Sequence, residues 1–505
     1  MNLLPLVPLP LKVEQQDGFF SLNSDTVIWV DSQTKSTGQY LANYLKNAAG
    51  IDFEVRQGET VESKSFIRLM LNISLGELGD EGYELEVSPA GIRITAYKEA
   101  GVFWAVQTLR QLLGPETESR QIDRDIDWKI PCVKIYDKPR FPWRGALLDC
   151  GRHVFSCEYI KKFIDILALH KVNKFHWHLT EDQGWRIEIS KYPLLTEIGA
   201  WRKEGEGKYG GFYTKQQIRD IVDHAAERFI EVIPEIEMPG HCTSVLAGYR
   251  QLSCSQKELE VANKWGVFED VYCAGKESVF EFLENVLDEV LELFPSRYIH
   301  IGGDECPKTQ WKQCPDCQER IKAENLADED QLQSYFIRRI CKYLSSKQRK
   351  VIVWDEIAES DLADDIIVMA WRGIAGGVKA AKAGNQVIMT PYTHCYFNYR
   401  HKELCLVGPG HSRKDVIISE PYTFDPHVPE LTEEETQRIM GTEGCIWTEY
   451  IKDQQTLEFL AFPRMCELAE VAWSSQQQRE DEGFQGRLKK HIRRLDALGI
   501  NYHSI

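Results

Sequence analysis

A chain of 505 residues is too long for one ordinary hydrophobic core, so size alone predicts a large domain with at least one smaller companion. With 60 basic against 77 acidic residues the formal charge is −17, which repels phosphate backbones and argues against sequence-independent nucleic-acid binding. The hydrophobic share of 43% with 27% charged residues is that of a globular protein, and no segment reaches the run of about 18–20 apolar residues that a membrane-spanning helix needs.

The first ten residues, MNLLPLVPLP, are apolar but carry three prolines and no leading positive charge, so they do not read as a secretory signal. A cytoplasmic protein is expected if the chain is complete as given, and a periplasmic or extracellular one if a leader has been removed. Residues 1–140 show short strands with turn punctuation, such as GYELEVSPAGIRITAY at 82–97, and a helical stretch around 99–113, which predicts a small α+β domain. Beyond the proline-bearing DKPRFPWRG (137–145), apolar strands alternate with amphipathic helices, the mark of parallel βα units. The candidate strands are RGALLD (144–149), KFHWHL (174–179), EVIPEIE (231–237), RYIHIG (297–302), KVIVWD (350–355), IIVMAW (366–371), NQVIMT (385–390) and GTEGCIW (441–447). Apolar residues at helical spacing fall at 157–171, 215–229, 278–294, 329–347, 376–383 and 455–474. Eight such strands close a barrel, so a (β/α)8 barrel is expected over 141–505, with an open eight-stranded sheet as the alternative.

The Gly-, Trp- and charge-rich stretch 180–213 reads as an elaborated loop on the barrel's active face. Within it GEGKYG (205–210) has the GxGxxG spacing of a dinucleotide site but follows no strand and opens no βαβ unit, so it reads as a loop too. Fourteen cysteines form no dense framework, and the close pair Cys314 and Cys317 in CPDC is compatible with a local disulfide or with two thiols. A tetrahedral zinc site would need two further ligands, which no second CxxC supplies, and neither metal nor cofactor is expected.

Active sites of βα barrels gather at the carboxyl ends of the strands. Those ends carry, in order, Arg152 and His153, Glu181 and Asp182, Glu237 and His241, Asp304 and Glu305, Trp354 and Asp355, Trp371, Tyr396 and Asn398, and Trp447 and Glu449. Tryptophans with carboxylates and an arginine describe a carbohydrate pocket, because sugar rings pack on aromatic faces and hydroxyls need charged donors and acceptors. In HIGGDECP (300–307) the adjacent Asp304 and Glu305 cannot be the opposed carboxyl pair that flanks a glycosidic bond, so one of them does something other than attack carbon.

GRHVF, HWHLTEDQGWR, EIEMPGH, HIGGDEC, VWDE, YFN and WTE together resemble glycoside hydrolase family 20, the β-N-acetylhexosaminidases, in order and spacing across residues 140 to about 475. The N-terminal region resembles the small domain that precedes the barrel in that family. The resemblance implies a retaining exo-enzyme acting on oligosaccharides or glycoconjugates with a terminal N-acetylhexosamine. It implies that Glu305 is the general acid/base and that Asp304 holds the 2-acetamido N–H while the amide oxygen attacks the anomeric carbon. Tyr396 would then bind the acetamido oxygen, Trp354 and Trp371 would enclose the methyl, and Trp447 would lie beneath the ring. Arg152 and Glu449 would grip O3, O4 and O6, and His241, backed by Glu181 or Asp182, would act behind Glu305. The family's usual Tyr-x-Asp appears here as Tyr396, Phe397 and Asn398, followed by Arg400. Loss of a carboxylate and gain of a cation near O6 suggest tolerance of a 6-sulfate.

Two rival readings stand beside this one. His176 and His178 form an HxH that on some barrels binds a metal for amide hydrolysis, with His241 and His300 as further ligands. A sugar-binding protein without turnover would keep the pocket but not need the acidic pair.

Overall fold

The computed structural model describes residues 4–58, 63–119, 128–357, 366–399 and 421–503. The N-terminal part is a seven-stranded mixed sheet of β1 (Lys12–Ser21), β2 (Val27–Val30), β3 (Glu54–Gln57), β4 (Phe66–Leu71), β5 (Tyr83–Ser88), β6 (Gly91–Ala96) and β7 (Lys129–Asp137), in the order β1-β7-β5-β6-β4-β2-β3. Helices α1 (Lys35–Ala49) and α2 (Glu99–Leu112) pack against it. The segment 82–97 forms the antiparallel pair β5 and β6, with alternate residues Tyr83, Leu85 and Val87 buried. That alternation is what one core-facing sheet surface demands.

The C-terminal part is a closed parallel barrel, which removes the open-sheet alternative. Its strands are β8 (Trp143–Asp149), β9 (Lys174–His178), β10 (Glu231–Glu235), β11 (Tyr298–His300), β12 (Lys350–Trp354), β13 (Ile367–Ala370), β14 (Gln386–Met389) and β15 (Ile439–Ile446), closing from β15 back onto β8. The interior is filled by Trp143, Leu147, Ile233, Tyr298, Ile352, Trp354, Ile367, Met369 and Ile388, so the barrel is a core and not a pore. Helices α3 (Cys157–Leu169), α4 (Lys215–Ala226), α5 (Glu277–Leu293), α6 (Glu329–Ser346) and α7 (Ile374–Ala383) cover the outside. Their starts are set locally. The Ser156 side chain accepts the Tyr159 N–H, and Thr214 and Gln217 form a reciprocal capping box. Each such cap contributes about 1 kcal/mol.

The predicted helix 455–474 is two helices, α8 (Gln454–Ala461) and α9 (Arg464–Trp473). Pro463 supplies no N–H and disfavours helical backbone at Phe462, which is extended. The stretch 180–213 also has more order than a loop. It contains hairpins at Thr180–Trp185 and Trp201–Gly210, and GEGKYG is the turn and second strand of the latter. No disulfide joins Cys314 to Cys317. No described helix is long and apolar enough to cross a membrane.

Candidate active site

Residues at the carboxyl ends of the barrel strands surround a cavity of about 640 Å³. Arg152, Glu181, His241, Asp304, Glu305, Trp371, Tyr396, Asn398, Trp447 and Glu449 all reach it, so residues picked from seven separate segments converge. Asp182 stands one layer behind them, holding His241. Trp354 is set deeper than these residues. It is 1% exposed and absent from the cavity surface, because its indole N–H donates to Glu235 Oε1 (2.9 Å) and draws the ring down into the barrel interior. There it packs under Trp447 with ring centroids 5.8 Å apart. Arg400 lies outside the described residues.

The acidic pair is built by the backbone. After β11 the chain turns through Gly302 (φ +65°) and Gly303 (φ +96°), and Glu305 itself sits at φ +42°. A Cβ on Gly302 would stand 1.8 Å from Glu237 Oε2. Gly302→Ala is therefore expected to cost about 1–3 kcal/mol through left-handed backbone strain alone, read as a lower denaturant midpoint, and to lower activity by displacing the pair. Gln333 Nε2 donates to the Gly303 carbonyl (2.7 Å), and the Glu305 N–H donates to Glu356 Oε2 (2.8 Å), fixing the turn from two sides. The two side chains end in different surroundings. That of Asp304 is 14% exposed and that of Glu305 39%, with Glu305 at the open rim.

His241 connects the pair to the layer below. Its Nε2 is 3.4 Å from Glu305 Oε2, while its Nδ1 is 2.8 Å from Glu181 Oε1 and 3.2 Å from Asp182 Oδ2. The sequence left open which acid supports the histidine, and both do, differently. Asp182 is held by the N–H and hydroxyl of Thr243, and its own pKa is raised by burial and by Glu181. Glu181 is held well below its ordinary value: burial opposes this, but Arg152 and His241 outweigh it. Both acids raise the His241 pKa, Glu181 through its charge and Asp182 through its hydrogen bond. His241 is raised well above the usual imidazole value because Glu181 outweighs the opposing burial, and Glu305 is lowered by its hydrogen bond with His241. The two groups hold one proton between them across neutral pH.

The same logic continues down the barrel axis. His178 lies between Glu235 and Glu181 (3.2 Å to the latter), and His176 lies 2.7 Å from Glu443 and 3.1 Å from Glu235. Burial disfavours charge on both rings, yet these carboxylates lift His178 to about 10 and His176 to about 9. Both rings are thus set among carboxylates along the barrel axis, His178 between Glu235 and Glu181 and His176 between Glu443 and Glu235.

Six cavity residues keep a buried polar atom with no protein partner: Arg152 Nε, Glu237 Oε2, Asp304 Oδ1, Trp371 Nε1, Asn398 Oδ1 and Trp447 Nε1. Burial, together with Glu356 and Glu305, pushes the Asp304 carboxyl well above its ordinary value. Trp371 and Tyr396 are near-parallel (6.1 Å, 15°), and Trp447 stands 6.0 Å from Tyr396, forming an aromatic cage. The Arg152 guanidinium lies over Trp447 at 5.2 Å and reaches Asp149 Oδ2 (3.3 Å) and Glu181 Oε2 (3.4 Å).

Several functional positions escaped the sequence reading. Asp149 is fully buried and accepts the N–H groups of Arg152 and Thr448 (both 3.0 Å), so one carboxylate sets the entry of two ligand-facing segments. Period-2 alternation in EVIPEIE could have exposed Glu235, alongside the Glu237 already singled out, as an inward neighbour of Ile233. Asn263, Lys264, Trp265, Gly266 and Val267, from a loop with no recognisable motif, form another wall.

A barrel with a caged aromatic pocket, adjacent acids and a carboxylate-anchored arginine at its strand ends has the parts that glycoside hydrolysis needs. The family model "Glycosyl hydrolase family 20, catalytic domain" matches residues 141–476, and "Glycosyl hydrolase family 20, domain 2" matches 3–138. The chain belongs to glycosyl hydrolase family 20. It is 42% identical over 500 residues to a β-hexosaminidase of Porphyromonas gingivalis, covering 99% of this chain and 64% of that protein, so it spans just under two thirds of that relative's length. It is 32% identical over 509 residues to a β-N-acetylhexosaminidase of Cellulomonas fimi, covering 99% and 96% of the two chains. Among solved structures, the family 20 β-N-acetylhexosaminidase of Streptomyces coelicolor A3(2) superposes with a TM-score of 0.88 at 32% identity, covering 99% of this chain and 98% of that one. The β-N-acetylhexosaminidase of Bacteroides fragilis gives 0.85 at 31%, covering 98% and 96%.

Proposed function

We propose that this chain is a retaining exo-β-N-acetylhexosaminidase that removes terminal N-acetylglucosamine or N-acetylgalactosamine with help from the substrate's acetamido group. The observation that carries this is the division of labour between adjacent acids: Asp304 is deep with a free acceptor, and Glu305 is at the rim with a proton partner behind it. Glu305 gives its proton to the glycosidic oxygen as the amide oxygen bonds to the anomeric carbon and the leaving alcohol departs. Asp304 accepts the amide N–H and faces the cation that forms. Water then attacks, Glu305 takes its proton, and the configuration is retained. The cage of Trp371, Tyr396 and Trp447 suits the acetamido methyl and the sugar face, and Arg152 with Glu449 suits the ring hydroxyls, which closes the non-reducing side. Hydrolysis of 4-nitrophenyl N-acetyl-β-D-glucosaminide but not of the plain glucoside is expected. Equal rates on both would remove the role of the amide.

Because His241 and Glu305 share a proton, the alkaline limb of kcat/KM in the parent enzyme follows the raised histidine. In His241→Asn that limb should fall toward the range of an ordinary glutamate, about 4–5. Activity at pH 7 then drops much more than activity at pH 5. A profile that keeps its shape would show that His241 does not hold the proton.

The pocket's second specificity reading rests on Asn398. With an amide where the family commonly has a carboxylate, and with its Oδ1 unpartnered, a 6-sulfated N-acetylglucosamine meets no repelling charge there. Hydrolysis of the 6-sulfated aryl glycoside, weakened about tenfold or more in Asn398→Asp, is the expected result. A parent enzyme inert on the sulfated substrate ends this reading.

A further inference from the structure

Away from the acidic pair, four cysteines from three segments come together: Cys254, Cys273, Cys314 and Cys317 have ligand atoms all within 4.8 Å of one another. The Sγ separations are 3.8 Å for Cys254 and Cys317, 3.6 Å for Cys273 and Cys314, and 3.6 Å for Cys273 and Cys317. A tetrahedron with zinc–sulfur bonds of about 2.3 Å has sulfur–sulfur edges of about 3.8 Å, whereas a disulfide needs about 2.05 Å. The two ligands that CPDC lacked thus come from a loop with no motif of its own.

The backbone is arranged for such a centre. Ser253 and Tyr272 pair as an antiparallel bridge, and the Cys273 N–H donates to the Leu252 carbonyl (2.9 Å), so Cys254 and Cys273 sit side by side. The Gly275 N–H is directed at the Cys273 sulfur. Cys314 caps, and Cys317 lies in the first turn of, the helix Pro315–Ala323, where helix polarity favours thiolates. Gly275 packs against that turn so closely that a Cβ would lie 2.5 Å from the Cys317 nitrogen. Lys276 and Arg320 donate to carbonyls of the same turns and supply positive charge beside four thiolates.

We propose that these four cysteines bind one zinc ion as a structural centre, each thiol losing its proton to solvent and forming one Zn–S bond. Its position gives it a use. The loop between Cys254 and Cys273 carries Asn263, Lys264, Trp265, Gly266 and Val267 into the active-site cavity, and its base is tied by the Tyr272 N–H to the Pro239 carbonyl (3.0 Å), two residues before His241. The zinc clamps the base of this wall to the chain that follows Asp304 and Glu305. Trp265 stands in this wall between His153 (5.5 Å) and Tyr450 (6.4 Å), the neighbours in sequence of Arg152 and Glu449.

The full chain, purified without chelator, is expected to retain about one zinc per chain by elemental mass spectrometry. Cys254→Ser and Cys317→Ser should lower this below about one tenth of an equivalent, while Cys157→Ser leaves it unchanged. Cobalt exchanged into the parent protein should give thiolate charge-transfer bands and intense tetrahedral d–d absorption, a readout that holds even if the variants fold poorly. Chelator-treated enzyme should show a several-fold higher KM for an aryl N-acetylglucosaminide with a smaller change in kcat, because the wall carried by residues 263–267 loosens while Asp304 and Glu305 stay in place. Protein free of metal, stoichiometric iron in place of zinc, or an intact mass reporting two disulfides among these residues would each overturn the proposal.

Discussion

Glu305→Gln should lower kcat by about 10²–10⁴ on substrates with poor leaving groups, because the departing alkoxide loses its proton donor. KM should stay the same or fall, since the side chain keeps its volume and its place at the rim. The loss should shrink for aryl glycosides whose phenolate leaves without protonation, so a plot of rate against leaving-group pKa steepens in the variant. Glu305 is suited to the task by position, 3.4 Å from a histidine that is itself kept charged by Glu181. If the variant loses activity equally on all leaving groups, Glu305 acts on structure and not on the proton.

Asp304→Asn should cost about 10²–10³ in kcat, the usual effect of deleting one preorganised partner of transition-state charge. Asparagine keeps the shape but removes the negative charge facing the oxazolinium ion and can turn an N–H toward the substrate's own. Binding of a cationic thiazoline mimic should weaken more than binding of the neutral product. Stability should move the other way. Burial and the neighbouring acids raise the Asp304 pKa in the fold, so its ionisation opposes folding, and that penalty is absent below the unfolded value near 4 and grows as pH rises to the folded value. The variant should therefore unfold at a higher temperature than the parent at pH 8 and at an equal one at pH 4. An unchanged kcat with the same stability would dismiss both the charge and its role.

These effects differ in how visible they were beforehand. Barrel strand ends are legible because a short apolar run followed by polar and aromatic residues can only stop at water, and eight such ends marked the pocket. The adjacency of Asp304 and Glu305 is a fact of the chain, and with two glycines before it the turn was determined locally. Trp354 lies deeper than the other strand-end aromatics, in one cluster with Trp371, Tyr396 and Trp447, and its depth is not legible until the register of neighbouring strands is known. Glu235 and Glu443 sit in stretches that read as apolar, and only the closed barrel brings His176 and His178 to them.

The linear order of residues determined the alternation of strands and helices, the count that closes a barrel, and the acids placed at its mouth, because periodicity and turn chemistry act over a few neighbours. Tertiary structure alone decided which groups share protons and which sulfurs meet. Those depend on distances of about 3–4 Å between segments far apart in the chain, where charge, burial and metal geometry take effect.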